Sequence, residues 1–249
     1  MTSLKSIQEM QSYELGAQDG KIGRCNSFLF DDKSWTIRYI VGDTRKWLPG
    51  RKVLISPISI GDVQEATSTL SIGLTKDQIK DSPPLDSDAP VSRQYEILFN
   101  KYHDWGNYWE GSLTWGYHPY PRLLQRKEKL RDQAAAVASQ THLRSTHELL
   151  GYSVKATDKD IGHIEDFIVD KETWVIRYLI VDTSNWLPAS KKVIIPPTWA
   201  ERFDWSDRSI TMGVPSEKIK NSPEYDPKVT LDRDYEKLLY DFYNLPYYW

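Results

Sequence analysis

The sequence has little of what builds covalent links or membrane spans. Its 249 residues include one cysteine, Cys25, so no disulfide can form within the chain. No apolar run reaches the roughly 18 residues that a membrane-spanning helix needs, and residues 1–10 lack the apolar core of a signal peptide. We therefore expect a protein without a membrane span and with a cytoplasmic location, which the single thiol is compatible with.

Motifs that carry catalysis or hold cofactors are also missing. There is no glycine-rich phosphate loop, no Gly-x-Ser-x-Gly elbow and no paired-cysteine motif. The five histidines include no pair at metal-ligand spacing along a helix. We expect no catalytic residue, no cofactor and no metal site, and thus a protein that is not an enzyme.

The charge balance is close to neutral. The formal net charge is −3 and the isoelectric point is near 6.0. A protein that coats nucleic acid would be strongly basic. The composition therefore argues against nucleic acid as the main partner.

What the sequence does have is repetition. The segment from Trp35 to Pro49 and the segment from Trp174 to Pro188 are identical at nine of fifteen positions, at a constant offset of 139. Further matches run to Trp109 in the first copy and to Trp249 in the second. A repeat of this length indicates a duplicated domain.

The repeat predicts the domain organisation. We assign residues 10–109 to a first unit and residues 147–249 to a second. Residues 110–146 form an aromatic-rich insert followed by a connector helix. Each unit has about a hundred residues, which is enough to bury a core of its own.

Each unit has the pattern of short strands followed by one helix. The segment Thr36 to Gly42 is rich in β-branched and aromatic residues, which favours a strand covered on both faces. Gly23 and its counterpart Gly162 indicate a bulge or a close backbone approach. Later in each unit, apolar residues at i, i+3, i+4 and i+7 predict a buried helical stripe: Tyr95, Leu98, Phe99, Tyr102, and again Tyr235, Leu238, Leu239, Phe242. The predicted fold is mainly β with α: two small antiparallel β-barrels, each followed by a capping helix and joined by a helical connector.

The second copy resembles a known family. The stretch from Ile161 to Asp170, followed by Trp174, Arg177 and Tyr178, resembles the PRC-barrel domain. This family includes the cytoplasmic part of the photosynthetic reaction-centre H subunit and, more distantly, the C-terminal half of the ribosome maturation factor RimM. The resemblance implies a barrel that serves as an assembly or docking surface without a bound catalytic cofactor.

Some residues are candidates for partner binding or for buried ion pairs. Arg38 and Arg177 lie mid-strand among apolar neighbours, so we expect each to pair with a nearby carboxylate. Aromatic and arginine side chains dominate binding energy at interfaces. The candidate partner-binding residues are Trp47, Trp186, Trp115, Tyr117, Arg122 and Arg126.

The functional prediction follows from the resemblance and from the missing motifs. We expect a non-catalytic scaffold or docking protein of a bacterial cytoplasm that binds a protein partner or the cytoplasmic face of a membrane complex, as in photosynthesis. A homodimer is a further option. Two alternatives remain open: a ribosome- or RNA-associated assembly factor of RimM type, and an enzyme with a cleft between the barrels.

Overall fold

The chain is mainly β-strand with short helices. The computed structural model describes residues 4–44, 47–49, 51–85, 91–125, 142–183, 191–229 and 231–249. The strands are β1 (Leu4–Ser6), β2 (Glu14–Ala17), β3 (Gly20–Asp31), β4 (Thr36–Asp43), β5 (Lys52–Ile55), β6 (Ile60–Gln64), β7 (Thr69–Ile72), β8 (Leu143–Ser145), β9 (Ser153–Lys155), β10 (Asp160–Asp170), β11 (Ile176–Asp182), β12 (Lys192–Ile195), β13 (Ala200–Asp204) and β14 (Ser209–Met212). The helices are α1 (Ile7–Met10), α2 (Lys76–Lys80), α3 (Arg93–His103), α4 (Thr146–Leu149), α5 (Ser216–Lys220) and α6 (Arg233–Tyr243).

The strands form two seven-stranded sheets with the same order. One runs β5-β4-β3-β2-β7-β6 with β8 added to β3, and the other runs β12-β11-β10-β9-β14-β13 with β1 added to β10. In each sheet one pair is parallel, β2 with β7 and β9 with β14, and the remaining pairs are antiparallel. The sequence repeat is therefore also a repeat of strand order.

Neither sheet is closed into a barrel by the strand pairs of the described residues. The end strands β5 and β6 are joined by a 3-10 turn at Pro57–Ser59, and β12 and β13 by one at Pro197–Trp199. A proline in such a turn has no N–H to donate, and the turn redirects the chain away from a hairpin. The mainly-β prediction with helices is confirmed. The prediction of two small antiparallel β-barrels is not confirmed, because neither sheet closes and each contains one parallel pair.

The chain folds into two compact units that are each discontinuous in sequence. The first-repeat unit contains Glu9–Thr146 and Lys171–Val175. The second-repeat unit contains Met1–Gln8, His147–Asp170 and Ile176–Trp249. The domain bounds predicted from the sequence remain predictions, and residues 126–141 of the proposed connector helix lie outside the described residues.

The discontinuity arises because the repeats exchange a strand. The strand β1 precedes the first repeat but pairs with β10 of the second-repeat unit, with Leu4 opposite Asp170. The strand β8 precedes the second repeat but pairs with β3 of the first-repeat unit, with Leu143 opposite Asp31. Each sheet is thus completed by residues that precede the other repeat.

A short sequence pattern underlies the exchange. Leu4-Lys5-Ser6 and Leu143-Arg144-Ser145 share the order leucine, basic residue, serine, at the offset of 139. Both leucines are buried, and a helical turn, α1 or α4, follows each strand. The repeat therefore begins earlier than the sequence comparison indicated.

A buried carboxylate anchors the exchanged strand β1. Asp166 lies at a bulge of β10, and it accepts hydrogen bonds from the hydroxyl of Ser6, from the N–H of Gln8 (3.1 Å) and from the N–H of Phe167 (2.7 Å). Burial raises the pKa of Asp166 to about 6, although these hydrogen bonds oppose the shift. Burial therefore disfavours the ionised form of Asp166, whereas the hydrogen bonds from Ser6 and Gln8 favour it.

The helices α3 and α6 bury a different face from the one predicted. Phe99 is buried as expected, but Leu98 and Tyr102 are exposed, and Glu96 and Asn100 are buried instead. The second helix shows the same shift, with Leu238 and Phe242 exposed and with the buried face Glu236, Leu239, Tyr240, Tyr243. The predicted stripe is therefore wrong in part, because the buried face of each helix includes a carboxylate with internal partners, which lies beside the apolar positions that hydrophobic periodicity selects.

The two predicted glycine sites are confirmed as close approaches. Gly23 and Gly162 have φ of +153° and +142°, and an added Cβ would meet the carbonyl oxygen of Asp43 or Asp182 at 2.0 Å. Only a residue without a side chain fits there.

No helix in the described part of the chain combines the length and the apolar character needed to cross a membrane.

The anchor of β1 gives a testable prediction. Because the folded-state pKa of Asp166 lies above the unfolded value, its contribution to stability is complete below pH 4 and is lost as the pH rises through about 6. Asp166→Asn keeps the acceptor oxygen and removes the charge. We expect it to stabilise the protein at pH 7.5 by up to about 3 kcal/mol, at about 1.4 kcal/mol per pKa unit.

Urea unfolding at pH 7.5 and pH 4.5 measures this effect, and the gain should shrink at the lower pH. Asp170→Asn is the matched control, because Asp170 forms an ion pair with Arg177 at 3.2 Å and its neutralisation should destabilise. A loss of stability in Asp166→Asn at pH 7.5 would contradict the prediction.

Candidate functional site

A buried cluster of ionic and aromatic groups links sheet and helix in the first-repeat unit. It consists of Arg38, Tyr39, Arg93, Glu96 and Tyr108, and we call it the first cluster. The carboxylate of Glu96 accepts a hydrogen bond from the hydroxyl of Tyr108 at 2.8 Å and forms an ion pair with Arg93 at 2.9 Å. Tyr39 also donates to Glu96. The strand β4 supplies the first two residues, and α3 supplies Arg93 and Glu96 one helical turn apart.

The second-repeat unit contains the same cluster from the equivalent positions: Arg177, Tyr178, Arg233, Glu236 and Tyr248. We call it the second cluster. Glu236 accepts hydrogen bonds from Tyr178 at 3.0 Å and from Tyr248 at 2.7 Å, and it forms an ion pair with Arg233 at 2.9 Å. Such agreement between repeats shows that the cluster is a shared feature of the fold.

The strand arginines stack on the tyrosines of their clusters. The guanidinium carbon lies 3.8 Å from the ring centroid both for Arg38 over Tyr108 and for Arg177 over Tyr248. The helix arginines stack on the tryptophan that follows each tyrosine, Arg93 over Trp109 at 4.1 Å and Arg233 over Trp249 at 4.2 Å. Cation–π contacts of this kind are strongest where water is excluded.

The predicted carboxylate partner exists for one strand arginine. Arg177 donates to Asp170 at 3.2 Å, as expected. Arg38 instead donates to the carbonyl oxygen of Thr114 at 2.7 Å and to the hydroxyl of Ser34 at 3.2 Å. Burial lowers the pKa of Arg38, and the nearby charges, including that of Asp31, oppose this shift.

The insert after the first repeat covers the first cluster. Trp115 is 1% exposed. Its ring centroid lies 4.7 Å from the Arg38 guanidinium carbon, and its indole N–H donates to the carbonyl oxygen of Thr173 at 2.8 Å. The side chain of Arg93 in the first cluster is 11% exposed, whereas that of Arg233 in the second cluster is 44% exposed.

Burial sets the electrostatics of the first cluster. Desolvation raises the pKa of Glu96, while Arg93 and the two tyrosine hydroxyls oppose the shift. Desolvation and the charge of Glu96 also raise the pKa values of Tyr39 and Tyr108 above the ordinary range. Both tyrosines therefore stay protonated and remain donors to the carboxylate.

The candidate partner-binding residues fall into four groups. Trp115 is interior, whereas Tyr117 and Arg122 are exposed. Trp47 is half-buried and lines a cavity of about 590 Å³ with Glu14, Lys21, Ile22, Gly23, Arg24 and Asp43. Trp186 and Arg126 lie outside the described residues. Their roles in partner binding remain predictions.

Two other groups with reactive side chains are Cys25 in the interior and the half-buried His103. Cys25 is buried, and desolvation raises the pKa of its thiol. Burial lowers the pKa of His103 to about 4, so its ring is neutral at physiological pH, and it stacks on Trp105 with ring centroids 4.4 Å apart. Within the described residues, no three His, Cys, Asp or Glu side chains are grouped so that they could hold a metal ion.

Sequence reasoning missed the role of the repeated polar residues. Glu96 and Tyr108 recur as Glu236 and Tyr248 at the offset of 140, and Arg93 recurs as Arg233. Matching charged and hydroxyl residues in both copies were the available signal.

The comparison with known families identifies the second repeat. Residues 143–218 match the family model of the PRC-barrel domain, from the exchanged strand β8 into α5. The chain therefore contains a PRC-barrel domain in this range. The match does not extend to the first repeat, and no curated protein matches the chain.

The helix arginines of the two clusters differ in solvent exposure, and this difference gives a prediction. Glu96→Ala would leave Arg93 buried without its counter-charge, and removal of one partner of a buried ion pair costs about 3–5 kcal/mol. Glu236→Ala should cost less, because Arg233 is more exposed and water can solvate its charge.

Urea unfolding gives the two losses, and hydrogen exchange assigns them, with β4 amides reporting the first cluster and β11 amides the second. The two glutamates serve as matched controls for each other. An equal or larger loss in Glu236→Ala would show that the cover by the insert is energetically unimportant.

Proposed function

We propose that the protein is a non-catalytic docking protein, built from two PRC-type repeats, that binds a protein partner. The partner is a soluble protein or the cytoplasmic face of a membrane complex. The identical strand order of the two sheets and the nine identities in fifteen residues support a PRC-type origin of the first repeat.

An exposed aromatic surface of the second-repeat unit carries this proposal. It consists of Leu238, Phe242, Tyr247 and Trp249, and we call it the docking face. All four side chains are at least 40% exposed, and they belong to α6 and the segment that follows it. Tyr247 and Trp249 stack with ring centroids 4.7 Å apart, and Leu238 and Phe242 lie one turn apart on α6. Exposed apolar patches of this kind mark interaction sites.

The buried clusters support binding rather than catalysis. The carboxylate of Glu96 is fully buried and is occupied by two tyrosines and an arginine, which leaves no path for a substrate to reach it. A general acid or base must come within hydrogen-bond reach of its substrate. The clusters therefore stabilise the fold and shape a surface.

Affinity capture with paired variants tests the proposal. Wild-type protein, Phe242→Ala/Trp249→Ala and Leu98→Ala/Tyr102→Ala are used as bait, and the captured proteins are quantified by mass spectrometry. The third bait is the matched control, because Leu98 and Tyr102 are exposed on α3. We expect a specific partner whose recovery falls about tenfold or more only with the docking-face variant, since interface aromatics dominate binding energy.

Direct binding of the purified partner to the same variants completes the test. Recovery of ribosomal proteins equally by all three baits would favour the assembly-factor alternative. If all three baits recover every protein equally, the proposal that the docking face binds the partner is wrong.

A further inference from the structure

A cavity beside the β2–β3 hairpin has the size of a small-molecule site. Its volume is about 590 Å³, and ligand sites range from roughly 300 to 1,000 Å³. We call it the Trp47 cavity. It is lined by two carboxylates, two cations, an indole, an isoleucine and a glycine: Glu14, Asp43, Lys21, Arg24, Trp47, Ile22 and Gly23. Charged and apolar groups therefore face the same space.

Arg24 lies between the two carboxylates of the lining. On β3 it is opposite Glu14 of β2 and opposite Asp43 of β4. Glu14 already forms an ion pair with Lys21 at 2.8 Å. Among the described residues, no hydrogen bond or ion pair engages the exposed guanidinium of Arg24. Arg24 is therefore available to the carboxylate of a ligand, with which an arginine forms a charge-assisted, two-pronged hydrogen bond.

Ile22 and Trp47 give the cavity its apolar surface. Ile22 is 1% exposed, and Trp47 is half-buried. A turn fixes the position of Trp47, because the N–H groups of Trp47 and Leu48 both donate to the carbonyl oxygen of Thr44, at 2.8 Å and 2.7 Å. An indole that is held in this way offers a surface on which an aromatic ring can pack.

The balanced charge of the lining favours a ligand that is itself zwitterionic. Two acidic and two basic side chains leave the lining without a net charge, so an ion of either sign gains no long-range attraction. Arg24 and Asp43 are opposite each other on antiparallel strands, where Cα atoms are about 4.5–5.5 Å apart. The ammonium and carboxylate groups of an α-amino acid are attached to one carbon atom, so a single molecule can interact with both residues.

The second repeat does not keep this balance of charges. A serine, an aspartate and a histidine replace the three charged residues of β2 and β3: Ser153, Asp160 and His163. The residue opposite Asp182, the counterpart of Asp43, is therefore His163 rather than an arginine. An arginine that faces a carboxylate across these two strands is thus specific to the first repeat.

We propose that the Trp47 cavity binds an α-amino acid with an aromatic side chain. The carboxylate of the ligand pairs with Arg24, its ammonium group lies beside Asp43, and its ring packs on Trp47 and Ile22. The cavity belongs to the first-repeat unit, whereas the docking face belongs to the second-repeat unit. The inference therefore goes beyond the proposed docking function and does not depend on it.

L-Phenylalanine is the probe, and its binding to the full-length protein is measured by isothermal titration calorimetry. We expect a Kd of about 50 μM to 2 mM, which is typical of a ligand with about a dozen non-hydrogen atoms. N-acetyl-L-phenylalanine lacks the ammonium charge, and L-phenylalanine amide lacks the carboxylate. Each derivative should bind about fivefold more weakly or worse, because each loses one charge-assisted contact.

Protein variants locate the binding site. Arg24→Gln and Trp47→Leu should each weaken phenylalanine binding about fivefold or more. His163→Gln is the matched control, because His163 occupies the position of Arg24 in the second repeat, and it should leave the affinity unchanged. Urea unfolding confirms that the variants are folded. Amide chemical shifts of the ¹⁵N-labelled wild-type protein should change at residues 21–24 and 43 when phenylalanine is added.

Three results would overturn the proposal. The first is the absence of binding at millimolar phenylalanine. The second is equal affinity for phenylalanine and for either derivative that carries a single charge. The third is unchanged affinity in folded Arg24→Gln and Trp47→Leu proteins. None of these results bears on the docking function, which the capture experiment tests with variants of α6.

Discussion

The burial of an equivalent glutamate in each repeat is the constraint on which the rest of the structure depends. Glu96 and Glu236 can enter the interior only if arginine and tyrosine partners come with them. The partners are drawn from a strand, a helix and the segment after that helix, so one charge fixes how three parts of each unit meet. The rotation of α3 and α6 toward the sheet follows from this requirement.

Much of the fold could be predicted from hydrophobic pattern and repetition, including β4, its covered faces and the close approach at Gly23. The helix face could not, because periodicity counts apolar residues and has no measure of an ion pair that makes Glu96 suitable for burial. The strand exchange could not either. Leu4–Ser6 and Leu143–Ser145 have the same pattern, so the sequence does not distinguish which sheet each strand joins.

The two repeats contain equivalent buried clusters, but the residues around these clusters differ. Arg177 donates to the carboxylate of Asp170, whereas Arg38 donates to the carbonyl of Thr114 in the insert. The insert thereby converts a surface into core in one unit, as the burial of Trp115 shows. In the second-repeat unit the Arg233 side chain remains 44% exposed.

The exchange of β1 and β8 has a consequence for the order in which the protein matures. A chain emerges from the ribosome with its N-terminus first, and domains generally fold as they appear. Here the first-repeat sheet lacks β8 and the Lys171–Val175 turn until translation is well into the second repeat. Neither half can be finished alone, and the nascent first half remains incomplete, without β8 on β3, until more than half of the chain has been made.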